Sequence, residues 1–185
     1  MSLNLNNQGE YTPHIRFMAS TSSWKKSGPD GMQNFNFTKA VFDLEKIMTG
    51  YGYIGEGEAP EWVMDVNLTT PAQKPQDGRE WKRGFKVELF STEMFGEENP
   101  VMEFATTGTG AVMGISALYD AYEVGKASNP GKLPVVSFNG GVATKIGKGN
   151  TSVPTLSIIE WVDRPNALGG SSVVEQNQVS NTSSF

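Results

Sequence analysis

The chain has 185 residues, 37% of them hydrophobic, and a formal net charge of −5. This length suits one domain built around one core, and no apolar run reaches the roughly 18 residues of a membrane-spanning helix. Without cysteine there are no disulfides or thiolate metal sites, and the polar N-terminus lacks the features of a signal peptide. We therefore expect a cytoplasmic protein.

The N-terminal third of the chain predicts strands joined by polar segments. Residues 1–13 are polar and Asn-rich, and we expect them to be flexible. Alternating apolar and polar side chains predict strands over 14–20 and 39–54. The Ser-, Gly- and Pro-rich segment 21–34 between them predicts a loop. A helix over 40–48 is the alternative for part of the second strand.

The middle of the chain continues the β pattern and then changes period. We predict a polar loop over 70–80, a turn over 93–100 and further strands over 61–68, 81–92 and 101–106. A helix over 109–124 is predicted because four apolar residues recur at helical spacing, namely Ala111, Ile115, Leu118 and Tyr122. Thr107 or Thr109 is expected to cap its start, and Gly125 to follow its end.

The C-terminal third predicts two strands and a tail. The strands are expected over 133–138 and 154–162, with a Gly-rich loop over 139–153 between them. Residues 169–185 are rich in Ser, Asn, Gln and Gly and carry one charge, Glu175, so a disordered tail is predicted.

The order of these elements predicts an all-β fold with one helix. Several strands precede the helix and two follow it, which is the order of a five-stranded Greek-key barrel of the OB type. We therefore expect an OB-like domain over 14–168 with extended loops.

Glycine motifs in the chain resemble nucleotide-binding signatures but lack their other parts. Gly108, Gly110 and Gly114 precede or open the predicted helix, yet no acidic residue ends the next strand to hold a ribose. Gly147-Lys148 lacks the remaining phosphate-loop residues. His14 is the only histidine, so the chain has no second imidazole, and no thiol, that could bind a metal together with it. We expect no enzyme activity, cofactor or metal, although a site made only of carboxylates stays open.

Basic and aromatic residues cluster locally despite the acidic total. Single-stranded nucleic acid is bound by cations that contact phosphates and by aromatic faces that stack on bases, at roughly 1–3 kcal/mol per base. Core packing is the alternative for the aromatic residues, above all for Phe85, which shares a face with Val87 and Leu89, and it stays open for Trp81, Phe35 and Phe37. The predicted nucleic-acid-binding residues are Trp24, Lys25, Lys26, Phe35, Tyr51, Tyr53, Lys74, Arg79, Trp81, Lys82, Arg83, Lys86, Lys145 and Lys148.

Several short segments together resemble a family of bacteriophage and prophage single-stranded-DNA-binding proteins of the OB type. The resemblance covers about 14–168 and lies in segments 40–44, 49–51, 82–87, 103–107, 131–136 and 161–165. It implies a non-sequence-specific, non-enzymatic protein that coats single-stranded DNA during phage replication or recombination, as a possible homo-oligomer in the host cytoplasm. The alternative is a structural or interaction module of a phage.

The C-terminus departs from that family. Phage and bacterial single-strand binders often end in an acidic run with a terminal aromatic residue that recruits replication partners. Phe185 is present here, but Glu175 is the only acid in the predicted tail. We therefore do not expect tail-mediated recruitment.

Overall fold

A computed structural model describes residues 12–170 of the chain. Almost all of the predicted flexible segment 1–13 and of the predicted disordered tail 169–185 lies outside the described residues. Within them the protein is mostly β-structure with one long helix. The strands are β1 (His14–Met18), β2 (Ser23–Gly28), β3 (Gly31–Phe35), β4 (Lys39–Phe42), β5 (Met48–Tyr53), β6 (Glu61–Met64), β7 (Lys82–Phe90), β8 (Val101–Thr106), β9 (Lys132–Ile146) and β10 (Gly149–Asp163).

Two α-helices complete the architecture. The short α1 (Thr92–Phe95) connects β7 to β8, and the long α2 (Thr109–Gly125) connects β8 to β9. Single 3₁₀ turns follow α2 at Lys126–Ser128 and β10 at Asn166–Leu168.

All the strands belong to one ten-stranded sheet. Its main path runs β10-β9-β4-β7-β8-β1-β2-β3, and β5 branches from β7 and carries β6 on its other edge. The β1–β8 pair is parallel, whereas the other named pairs are antiparallel. The β-rich class with one long helix is confirmed. The sheet has ten strands, more than the five of the predicted barrel.

The core lies between the sheet and α2. On β7, Phe85, Val87 and Leu89 are buried at every second position, as expected for a strand with one face inward. The buried face of α2 is the predicted one, with all four of its apolar residues inside. Gly110 and Gly114 face β10, where an added Cβ would meet the Ser152 or Pro154 backbone within 3 Å. These glycines therefore allow close packing of the helix, as expected from their failure to match a nucleotide motif.

An aromatic cluster attaches β1–β3 to the rest of the sheet. The Trp24 ring lies 4.8 to 5.5 Å, between centroids, from the rings of Phe17, Phe37, Phe104 and Phe138. Trp24 is 2% exposed. The segment predicted as a loop over 21–34 therefore forms most of the β2–β3 hairpin, because Trp24 and its cross-strand partner Phe35 pack against the core.

The Gly-rich segment predicted as a loop over 139–153 is also a hairpin. Strands β9 and β10 pair from Lys132–Asp163 at one end to Ile146–Gly149 at the other. Gly147, at φ 53°, provides the left-handed residue for the two-residue turn. The loop prediction was wrong because its glycines, which usually interrupt strands, lie here in the hairpin turn and at exposed positions of the paired strands.

The predicted helix is confirmed almost residue for residue, but its caps are not. Gly108 is the N-cap and makes no side-chain hydrogen bond, whereas the predicted caps were Thr107 and Thr109. Gly125 is still helical and leads into the 3₁₀ turn. The predicted strand over 39–54 is interrupted between β4 and β5, with no helix in its place.

Candidate nucleic-acid interface

The basic–aromatic cluster predicted from the sequence lies on a three-stranded arm, defined here as β5, β6 and residues 82–86 of β7. Directly paired residues of neighbouring strands point to the same side of a sheet, and successive residues point to opposite sides. Tyr51 is paired with Arg83 and with Val63, whereas Gly52 is paired with Lys82 and with Trp62. The arm therefore has a Tyr51 side and a Trp62 side.

On the Tyr51 side, arginines lie over aromatic rings. The Arg83 guanidinium carbon lies 4.9 Å from the Tyr51 ring centroid. The Arg79 carbon lies 4.7 Å from the centroid of Tyr53 and 5.0 Å from that of Trp81. The structure thus brings together all five of these predicted site residues.

Asp65 forms an ion pair with Arg83, the arginine that lies over the Tyr51 ring. Its carboxylate accepts hydrogen bonds from Arg83 at 2.8 and 2.5 Å, from Thr49 Oγ1 at 2.6 Å and from the Ala72 N–H at 2.7 Å. The bonds from Arg83 hold the pKa of Asp65 well below its usual range, and the same pair raises the pKa of Arg83. Arg83 is therefore ion-paired within the protein, and the pair uses two of its five N–H donors.

Arg79 is also ion-paired, with two acidic residues. Asp77 accepts from Arg79 Nε and from Trp81 Nε1, both at 2.9 Å, and Glu61 forms a second ion pair with Arg79. Hydrogen bonds from Arg79 and Trp81 lower the pKa of Asp77 to about 2. Trp81 is 5% exposed. Because its ring is covered, Trp81 cannot stack on a base, which corrects its prediction as a site residue.

The Trp62 side combines an aromatic ring with lysines. The Trp62 ring lies across two glycines, since a Cβ atom at Gly52 or Gly84 would come within 3.0 Å of it. Lys86 Nζ is 5.4 Å from the ring centroid, and Lys82 is exposed beside it with no hydrogen-bond or ion-pair partner within 12–170. Unlike the arginines, these two lysines have no carboxylate bound to them in this part of the chain.

Sequence reasoning missed Trp62. It lies within a predicted strand, but the surrounding segment carries acids instead of lysines. The available signal was Gly52 on β5 and Gly84 on β7, which leave room for a large ring.

The other predicted residues lie outside the three strands of the arm, and some of them contact other parts of the protein. Trp24 is in the core and cannot present its ring to a base, which corrects that prediction. Lys26 Nζ donates to the Met94 carbonyl at 2.7 Å and lies 5.8 Å from the half-buried Phe35 ring. Of the remaining lysines, Lys74 is in the loop that connects β6 to β7, whereas Lys25 is on β2, Lys145 on β9 and Lys148 in the β9–β10 turn, outside the strands of the arm.

Residues 12–170 contain no group of three or more His, Cys, Asp or Glu side chains placed to hold a metal ion. In the same part of the chain, no helix is long and apolar enough to cross a membrane.

Comparison with known proteins adds no relative. No family model, curated protein or solved structure matches the chain. The resemblance to phage single-strand binders therefore stays a prediction from the short segments that suggested it.

Proposed function

We propose that this protein binds single-stranded DNA without sequence preference, through the Trp62 side of the arm. The observation that carries the proposal is the half-buried Trp62 ring with two lysines beside it, neither of them ion-paired within the described residues. A base stacks on the ring, and Lys82 and Lys86 contact the neighbouring phosphates. An aromatic platform of this kind is sequence-tolerant because every base has a π face.

The OB-type barrel is part of this proposal. Taking β4 and β5 as one interrupted first strand, the order is strand, β7, β8, α2, β9, β10. The first strand is hydrogen-bonded to both β7 and β9, which supports a Greek-key arrangement. On this assignment β1–β3 and β6 are additions, and the arm corresponds to the surface on which such barrels bind oligonucleotides.

The biological setting is also proposed. A non-enzymatic, oligomeric coat on single-stranded DNA in phage replication or recombination, in the bacterial cytoplasm, agrees with the short-segment resemblance. A preference for DNA over RNA would be measured against an RNA strand of the same sequence. Stacking on Trp62 alone does not distinguish the two, because the ring does not contact the 2′-hydroxyl group.

The test is a titration of a fluorescent oligo-dT strand followed by anisotropy. Trp62→Ala is expected to weaken binding by roughly tenfold to a hundredfold, because one stacked base contributes about 1–3 kcal/mol. Trp62→Phe should retain most of the affinity. Lys132→Ala, which removes an exposed lysine at the far end of β9, is the matched control and should bind like the unaltered protein.

Two results would contradict the proposal. The first is no binding of oligo-dT at low salt. The second is equal affinity for a duplex of the same length, since paired and stacked bases cannot reach the ring.

An interaction module is the second candidate, and the outer edge of β10 favours it. Within the described residues β10 pairs only with β9, and the β9–β10 hairpin exposes Val142 and Ile159 by 58% and 54%. Unpaired strand edges promote association between chains. Concentration-dependent self-association in light scattering, combined with no affinity for oligo-dT, would favour this candidate.

A further inference from the structure

A cleft of about 260 Å³ lies between α2 and the base of the arm. It opens on the Tyr51 side, and the backbone of Gly84 separates it from the Trp62 ring. The cleft is therefore distinct from the surface proposed for DNA, although the two are back to back.

The interior of the cleft is apolar and partly aromatic. Ile47, Phe85 and Ile115 are buried around it, while Val112 and Tyr119 are half-buried on the α2 wall. An apolar cavity of about 150 Å³ is enough to bind benzene. The cleft therefore has room for a larger planar ring.

The polar groups of the cleft lie among these apolar walls and differ in charge. Arg83 is fixed by Asp65 and by the Tyr51 ring, and Asp65 uses two of its five N–H donors. Three donors remain for another acceptor. Asp120, exposed on α2, adds a carboxylate that can accept from an amino group. An apolar enclosure with a few converging polar groups is typical of small-molecule sites.

We propose that this cleft binds one nucleotide, with the base between α2 and β7 and the phosphate at Arg83. The chemistry of the cleft fits this class because apolar walls suit the faces of a base, Asp120 suits its edge and the remaining Arg83 donors suit a phosphate. The nucleotide comes from one of two sources, a free nucleoside monophosphate or a unit of a bound strand.

The experiment follows the methyl groups of Ile115 and Val112 by NMR in the full-length chain. The probes are deoxyadenosine monophosphate, deoxyribose 5-phosphate and an oligo-dA strand. Deoxyadenosine monophosphate is expected to shift both methyl signals saturably, and the sugar phosphate, which lacks a base, should leave them in place. Shifts with oligo-dA as well would show that a bound strand supplies the nucleotide.

Two tryptophan substitutions on α2 provide the matched comparison. Ser116→Trp fills the cleft from its exposed rim and should abolish the shifts, with Ser116→Phe as the smaller filler if the first variant does not fold. Ala117→Trp changes the neighbouring exposed residue, which does not line the cleft, and should preserve them. Unshifted methyl signals at millimolar deoxyadenosine monophosphate would overturn the inference, as would equal loss in both tryptophan variants.

The outcomes separate this inference from the proposed function. If oligo-dT binds and no probe moves the two methyl groups, the cleft proposal fails and single-strand binding stands. If the mononucleotide moves them and no oligonucleotide binds, single-strand binding fails and the cleft proposal stands.

Discussion

Arg164, just after β10, forms a largely buried ion pair with Asp43. Its side chain is 13% exposed and donates two hydrogen bonds to Asp43, at 3.0 and 2.5 Å, while Asp43 is 1% exposed. Arg164 Nε also donates to the Gly169 carbonyl at 2.6 Å. One guanidinium therefore joins the end of β4 to the segment that follows β10.

Removing Arg164 is expected to destabilise the fold strongly. Arg164→Leu leaves the Asp43 carboxylate buried without its partner, and losing one partner of a buried pair costs about 3–5 kcal/mol. Urea unfolding followed by far-UV circular dichroism measures the loss. Arg16→Ala, at an exposed arginine of β1, is the control and should change the free energy of unfolding by less than about 0.5 kcal/mol. Equal effects of the two substitutions would contradict a structural role for the ion pair.

Individual residues of the interface were predictable only in part. Lys82 and Lys86 lie in an alternating strand, so their positions on one side of β7 followed from the sequence. Trp24 and Trp81 are also next to basic residues, yet both are buried. Local composition cannot distinguish a ring that faces a base from one that faces the core, because the outcome depends on strands distant in sequence.

At the scale of elements, Asp65 connects β6 and the following loop to the sheet. Its carboxylate joins Arg83 on β7, Thr49 on β5 and the backbone at Ala72, and its side chain is 2% exposed. Since the folded-state pKa of Asp65 lies below its ordinary value of 3.8, this stabilisation is present above about pH 4 and is lost as the pH falls further.

Asp65→Asn is expected to loosen the arm without unfolding the core. Charge-assisted hydrogen bonds contribute about 1.5–3 kcal/mol each, so opening of this region should become at least roughly tenfold more frequent. Hydrogen exchange measured by mass spectrometry should accelerate over 61–83 and stay unchanged in α2. Glu56→Gln, at an exposed acid of the connection between β5 and β6, is the control. Acceleration throughout the chain would indicate instead that the arm and the core unfold together.

The elements differ in how far sequence determines them. The helix α2 was predictable because its apolar spacing and its length both exclude a strand. The β2–β3 and β9–β10 hairpins were not, because Gly28, Gly31 and Gly147 at their turns are also typical of irregular loops. Their inward residues become evident only when the opposing aromatic cluster or helix is in place.

At the scale of the whole molecule, pairing between distant segments determines the sheet. The β1 strand lies parallel to β8 through His14–Glu103 and Ile15–Phe104, although most of the domain separates them in sequence. Neither strand carries a pattern that selects a parallel partner. The order of strands around the helix could therefore be predicted, whereas the number of strands and the pairing of β1 with β8 could not.

The charge distribution of the whole molecule predicts how its DNA affinity depends on salt. The net charge is −5, and Arg79 and Arg83 are ion-paired with acids, so the Trp62 side offers few cations, mainly lysines, to the phosphates of a bound strand. For single strands, the slope of log K against log salt is about −0.7 per phosphate contact. Contacts from Lys82 and Lys86 with one or two other lysines, three or four in all, give an expected slope of about −2 to −3.

The salt slope should follow the lysines of the Trp62 side. Replacing both Lys82 and Lys86 by alanine is expected to reduce the magnitude of the slope by about 1.4, because two phosphate contacts are lost. Anisotropy titrations of oligo-dT at several sodium chloride concentrations measure it, with Lys132→Ala as the control that keeps the original slope. A slope unchanged in the double variant would mean that the phosphates lie elsewhere, and the lysines of the β9–β10 hairpin would then be the next to replace.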